Sequence, residues 1–170
     1  AFSKFVKDFI TFKGYERVIL LGNSLGGHVG LYFTKMYPEK VAALVLTGSS
    51  GLYESAMGDT YPKRGDYEYI KIKTQNVFYK PEMATKELVD EVFNIVNDRI
   101  KVIKTLTIAK SAIRHNMAKD LPKMHVATCL IWGKNDTVTP PEVANEFHKL
   151  LPNSELFWID ECGHAAMMEH

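Results

Sequence analysis

Gly22-Asn23-Ser24-Leu25-Gly26 sets a serine where a strand turns sharply into a helix, and few folds accommodate that turn. The preceding residues, Arg17-Val18-Ile19-Leu20-Leu21, form a short apolar run that reads as a buried parallel strand. The following residues place Leu25, Val29, Phe33 and Met36 at helical spacing until Pro38 stops the pattern. A serine at such a corner is held in a strained backbone conformation, with its hydroxyl pushed out above the sheet. The flanking glycines read as necessary because no side chain fits where strand and helix come so close. The G-x-S-x-G pattern alone is common in loops; the strand before it and the helix after it make it specific.

A serine hydroxyl is a weak nucleophile unless a base takes its proton and an acid orients that base. Two later strands offer candidates for both, an acid and then a histidine. Val126-Ala127-Thr128-Cys129-Leu130-Ile131-Trp132-Gly133 reads as a strand running into Lys134-Asn135-Asp136. Glu155-Leu156-Phe157-Trp158-Ile159 reads as another, followed by Asp160-Glu161-Cys162-Gly163-His164. Ser24, Asp136 and His164 thus fall at the carboxyl ends of parallel strands, where open α/β sheets carry their sites.

With Gly-Asn-Ser-Leu-Gly-Gly-His, Ile-Trp-Gly-Lys-Asn-Asp and Cys-Gly-His-Ala-Ala-Met-Met-Glu-His in this order, the sequence resembles the α/β-hydrolase superfamily over nearly its whole length. The resemblance implies Ser24 as nucleophile, Asp136 as acid and His164 as base, with no metal or organic cofactor. The Leu25 backbone N–H, at the helix start, is expected to donate to the oxyanion, with Asn23 beside it at the substrate. Asn23 and the Gly-His-x-x-x-x-Glu-His ending look most like the branch of carbon–carbon bond hydrolases acting on aromatic ring-cleavage products. That branch often carries Trp directly after the histidine, where this chain has Ala165. The expected reaction is acyl transfer to water from a small ester, amide, thioester or activated carbon–carbon bond. An acyltransferase or perhydrolase with the same triad, or a non-catalytic binding protein, are the alternatives.

The expected architecture is an α/β fold: a parallel sheet flanked by helices, with a helical cap inserted. Residues 1–51 and 126–170 form the hydrolase core, and residues 52–125 are too long for a plain connection. The first part of that stretch is polar and aromatic, with Tyr53, Tyr61, Pro62, Tyr67 and Tyr69. The second is helical, with Leu88, Val92, Val96, Ile100 and Ile103 near i, i+4 spacing. Thr139-Pro140-Pro141-Glu142 reads as a capping box for a helix burying Val143, Phe147 and Leu150. A further strand, Val41–Thr47, precedes Gly48-Ser49-Ser50-Gly51; some relatives keep their acid after it, but here no carboxylate appears before Glu54.

Among rival residues, Asp160 and Glu161 read as solvated loop acids, and His28 as a packing residue near the pocket. His115, His125, His148 and His170 read as surface or structural, with no metal-ligand spacing. Relatives that cleave carbon–carbon bonds hold a substrate carboxylate with a cap arginine; Arg64, Arg99 and Arg114 are equal candidates. A formal net charge of +1 gives no reason to expect nucleic acid or an anionic membrane as partner. No apolar run approaches the ~20 residues of a membrane helix. Two cysteines, Cys129 and Cys162, read as free thiols suited to a reducing, cytoplasmic compartment.

The chain begins about one helix before the elbow strand and stops six residues after His164, and so reads as a fragment. The missing N-terminal segment of the same protein is an expected partner, and it would supply the second oxyanion donor. The four strands present are expected to be neighbours, leaving Arg17–Leu21 as a raw edge; oligomeric state stays open. Alone, the chain is expected to fold poorly and to be impaired as a catalyst.

Overall fold

A computed structural model describes residues 1–54 and 63–170. Four strands, β1 (Val18–Asn23), β2 (Val41–Thr47), β3 (Ala127–Gly133) and β4 (Ser154–Ile159), form one sheet in the order β1-β2-β3-β4. Every pairing is parallel. After a bulge between Val18 and Ile19, Asn23 aligns with Thr47, Thr47 with Ile131, and Gly133 with Ile159. β3 and β4 run two residues beyond the ends of β1 and β2, and the loops at Ser24, Gly48, Lys134 and Asp160 all leave from the carboxyl-end rim. That rim is where sites form in such sheets.

One face of the sheet carries Leu44, Leu46, Leu130 and Trp132, each at most 1% exposed, and it holds the core. Helix α2 (Leu25–Met36) packs on β1 and β2, and α6 (Pro141–Leu150) packs on β3 and β4. Leu31, Phe33, Val143 and Phe147 fill the space between, and α1 (Phe2–Phe12) adds Ile10. Burying such a side chain contributes about 1.5–3 kcal/mol. The other face bears Ile19, Leu21, Val45, Ile131 and Phe157, which are exposed or half-buried. Ile19 and Leu21 are 66% and 74% exposed, so β1 is an open apolar edge among the described residues.

The buried stripe of α2 is rotated from the expected one. Gly27, His28, Gly30, Leu31 and Thr34 join Phe33 inside, while Met36 is exposed. Sheet contact demands small residues at the crossing, and Gly27 and Gly30 supply them. Leu25 and Val29 instead line an apolar hollow of about 350 Å³ between α1 and β1.

Residues 63–125 hold three helices, α3 (Tyr67–Gln75), α4 (Lys86–Asn97) and α5 (Arg99–Arg114). The aromatic stretch is thus partly helical: Asp66 caps α3 through the Tyr69 N–H, and Ile70 is buried. Tyr61 and Pro62 lie outside the described residues. The helical stretch from Leu88 to Ile103 is divided between two helices, because Asp98 leaves helical geometry and caps α5 through Ile100 N–H and Lys101 N–H. Val89 and Val96 are buried, whereas Ile100 and Ile103 are exposed. The last helix, α7, is the short turn Ala166–Glu169. Among the described residues no helix is long and apolar enough to cross a membrane.

Candidate active site

Ser24 sits between β1 and α2 at φ +50°, ψ −120°, a conformation that L residues rarely adopt. Its N–H donates to Thr47 O (3.1 Å), and its carbonyl accepts from His28 N–H (3.2 Å) and Ser50 N–H (3.0 Å). The tightness falls on particular glycines. A Cβ at Gly22 would overlap the Gly26–Gly27 backbone, and one at Gly27 would overlap the Ser49 side chain. Gly26 faces open space, so the second tight position is Gly27, one residue beyond the five-residue pattern.

Asp136 and His164 lie side by side. Nδ1 of His164 lies 2.9 Å from Asp136 Oδ2, and the two residues are only 8% and 3% exposed. The carboxylate is saturated: Oδ1 accepts from Val138 N–H (2.8 Å) and Thr139 N–H (2.9 Å), and Oδ2 accepts from the Thr139 hydroxyl (2.8 Å). Thr139 is therefore not the expected helix cap. Helix α6 starts at Pro141 with Pro140 at the cap position, which has no side-chain acceptor, and the Thr139 hydroxyl donates to Asp136. That hydroxyl also lies 3.3 Å from His164 Nδ1, so it braces the pair at their junction.

The three loops are stitched to each other. Asn23 Nδ2 donates to Thr47 O (3.0 Å) and to His164 O (3.1 Å), joining the serine turn to the histidine loop. Gly133 approaches Cys162 and Gly163 so closely that a Cβ there would overlap their carbonyls. Asn135 N–H donates to Cys162 O (2.9 Å). Gly48, at φ +47°, passes over the acid–base pair: a Cβ on it would lie 3.0 Å from His164 Nδ1 and 3.1 Å from Asp136 Oδ2. Glu169 explains the acidic residue of the C-terminal motif. Its carboxylate accepts from Gly163 N–H (2.6 Å) and from Tyr79 N–H (2.7 Å) and Lys80 N–H (3.1 Å). With His164 N–H donating to Val77 O (2.8 Å), the turn after α3 is tied directly to the histidine loop.

Ser24 Oγ has Ser50 Oγ at 3.5 Å and, among the described residues, makes no hydrogen bond to the His164 ring. Nucleophile–base bonds are often long in empty sites and tighten when substrate is bound. The first N–H of α2, on Leu25, has no acceptor within the helix and belongs to the positive end of its dipole. Ser50 and Glu54 lie on the loop after β2. Burial pushes the Glu54 carboxyl above the usual range, with Ser50 and the charge of His164 pulling the other way.

The other candidates lie elsewhere. Asp160 pairs with Lys134 at 2.6 Å on the surface, and Glu161 is exposed. Arg64, Arg99 and Arg114 are all exposed. His28 is buried, with Nε2 2.9 Å from His115 O, so it pins α2 to the end of α5; burial holds its pKa below 6.5. Cys162 is buried beside Glu169, and burial pushes its thiol up to about 11. Among the described residues no cluster of three or more His, Cys, Asp or Glu is arranged to hold a metal ion. A cavity of about 550 Å³ lined by Arg17, Lys35, Asp120 and Lys123 lies at the opposite end of the strands.

A serine at a strained strand–helix turn, level with a buried Asp–His pair on a parallel sheet, defines a class. Residues 1–170 match the α/β hydrolase fold family, and the chain belongs to it. The α/β hydrolase enzyme MGS-MChE2, from the metagenome of Mar Chica lagoon sediments in Morocco, is 57% identical, with a TM-score of 0.77. That match covers 99% of this chain and 62% of MGS-MChE2. A 2-hydroxy-6-oxononadienedioate/2-hydroxy-6-oxononatrienedioate hydrolase from Paraburkholderia phymatum is 30% identical over 99% of this chain and 63% of its own length. A serine hydrolase involved in carbazole degradation is 27% identical with a TM-score of 0.76, over 99% of this chain and 64% of that one. The chain thus spans somewhat under two thirds of the length of these relatives.

Proposed function

We propose that this protein is a serine hydrolase in which Ser24 attacks a substrate carbonyl, His164 moves the proton and Asp136 orients His164. The observation that carries the reading is the buried Asp136–His164 pair, 2.9 Å apart, on the same rim as a serine forced to positive φ. Asp136 occupies Nδ1 and leaves Nε2 of the imidazole for the serine proton. As Ser24 Oγ bonds to the carbonyl carbon, that proton passes to His164 Nε2, and the positive ring is stabilised by a carboxylate already fixed by three further donors. The oxyanion is met by the Leu25 N–H at the start of α2. Collapse expels the leaving group, which takes the proton from His164. Water then repeats the sequence on the acyl-enzyme.

The substrate is a small carbonyl compound. Hydrolases named for 2-hydroxy-6-oxo dienoic acids among the relatives make an activated carbon–carbon bond the first candidate, and small esters the second. The helices between residues 63 and 125, tied to the histidine loop through Val77 and Tyr79, are proposed to act as the cap that shapes the pocket. The test is turnover by the full-length protein on esters of increasing chain length and on a ring-cleavage dienoate, with Ser24→Ala as control. The reading expects turnover of at least one, reduced about 10⁴-fold or more in the variant. Turnover that survives Ser24→Ala, or none on any substrate, contradicts it.

A further inference from the structure

Two loops of the site meet one turn of the helical segment, residues 76–80 after α3. The Thr137 hydroxyl, next to the acid, donates to Asn76 O (2.8 Å). His164 donates its own N–H to Val77 O (2.8 Å). Gly163 lies so close to the turn that a Cβ on it would stand 2.6 Å from Val77 O and 2.8 Å from Tyr79 N. Glu169 closes this contact. Its Oε2 accepts from Gly163 N–H (2.6 Å), and its Oε1 accepts from Tyr79 N–H (2.7 Å) and Lys80 N–H (3.1 Å). Hydrogen bonds to an ionised carboxylate are shorter and stronger than neutral ones. These three donors are main-chain groups, and none belongs to Ser24, Asp136 or His164. From the other side, His164 O accepts from Asn23 Nδ2 (3.1 Å). The main chain of the base is thus held at its N–H by the turn and at its carbonyl by the residue before the nucleophile.

We propose that Glu169 is a positioning residue: its carboxylate clamps Gly163 to the turn at 76–80 and so sets where His164 stands between Asp136 and Ser24. The proposal rests on the Ser24–His164–Asp136 reading above. Without the carboxylate, three N–H groups converge with no acceptor between them, and the turn and the histidine loop separate to reach water. The bond from His164 N–H to Val77 O is strained with them, and the ring loses its fixed place 2.9 Å from Asp136 Oδ2. A displacement of about 1 Å in such a site costs about 100-fold in rate. Asn23 still holds the His164 carbonyl, so the shift is smaller and the expected loss is about tenfold, in kcat. The clamp also makes the placement of the base depend on the helical segment above it, because Tyr79 and Lys80 belong to that segment.

The test compares the full-length protein with Glu169→Gln and Glu169→Asp on the best substrate of the wild type. The readouts are KM and kcat, with kcat expressed per Ser24 titrated to completion by a fluorophosphonate. Glutamine keeps the length but offers one acceptor oxygen and turns an NH₂ group toward the remaining donors. Aspartate keeps the charge and both oxygens but is one methylene short of the span. In both variants kcat per titrated site is expected to fall about tenfold while KM stays within about twofold. A side chain that serves only the fold would lower the number of titratable sites and leave kcat per site alone, which overturns the assignment. So does a KM that rises with kcat kept, which marks a substrate contact. Wild-type kcat in Glu169→Asp beside a loss in Glu169→Gln assigns the effect to charge and overturns the clamp. Should one variant fail to fold, the other is read; if neither offers a titratable Ser24, Glu169 is structural and the assignment falls. Where the wild type is labelled on Ser24, only the Glu169 assignment falls in these cases. A wild type that takes no label overturns the triad reading as well.

Discussion

Gly48→Ala tests whether the geometry around the acid–base pair is needed. Gly48 has φ +47°, and its added Cβ would stand 3.0 Å from His164 Nδ1, 3.1 Å from Asp136 Oδ2 and 3.2 Å from His164 Cε1. Carbon at those distances forces the pair apart by a few tenths of an ångström. The Asp136 carboxylate cannot follow freely, because Val138, Thr139 and the Thr139 hydroxyl hold it. The His164 ring must therefore turn. Misplacement of about 1 Å in such a site costs about 100-fold in rate, so a smaller shift at this contact is expected to lower kcat about 10–100-fold. Left-handed backbone adds roughly 1–2 kcal/mol of instability for any L residue. Gly14→Ala separates the two effects: Gly14 has φ +71° with nothing within 4 Å of an added Cβ. Gly14→Ala should lower Tm by about 2–4 °C per kcal/mol lost and leave kcat alone. The assay is kcat on the best substrate for both variants, with Tm beside it. If Gly48→Ala keeps wild-type kcat while losing the same stability as Gly14→Ala, the reasoning about the pair is wrong.

Thr139→Val removes the hydroxyl that binds Asp136 Oδ2 and should lower kcat about tenfold, with Thr139→Ser restoring it; equal kcat in all three would contradict the bracing role. His28 has a folded pKa below 6.5, so the unfolded chain binds more protons, and its contribution to stability is present above pH 6.5 and lost as pH falls below it. The drop in Tm between pH 7 and pH 5 should accordingly be smaller in His28→Gln than in the wild type. With its thiol pushed up to about 11, Cys162 should resist a thiol reagent at pH 8 in folded Cys129→Ser protein and react once it is unfolded. Rapid modification of the folded form would contradict the burial of that loop.

The parts of the site legible in the sequence are those set by local chemistry. Ser24 was legible because an apolar strand, a tight turn and a helical pattern lie within one short stretch, and Asp136 and His164 because each follows a strand end. The strand set and its all-parallel pairing follow from the same apolar runs. What escaped depends on contacts between distant segments. Thr139-Pro140-Pro141-Glu142 has the spacing of a capping box, but the helix begins one residue later, Pro140 takes the cap position, and the Thr139 hydroxyl donates to Asp136. Gly27 outweighs Gly26 because the close approach is to Ser49, on a different loop. Helix α3 has few apolar positions, Ile70 and Ile72 among them, and its start is marked chiefly by Asp66.

Everything proposed for this site turns on Ser24 as a nucleophile activated by His164. Its most direct measurement is fluorophosphonate labelling of the folded full-length protein, with the modified residue mapped by mass spectrometry. A single adduct on Ser24 is expected, absent in Ser24→Ala and formed far more slowly in His164→Ala. No adduct, or an adduct on Ser49 or Ser50 with Ser24 untouched, would contradict it.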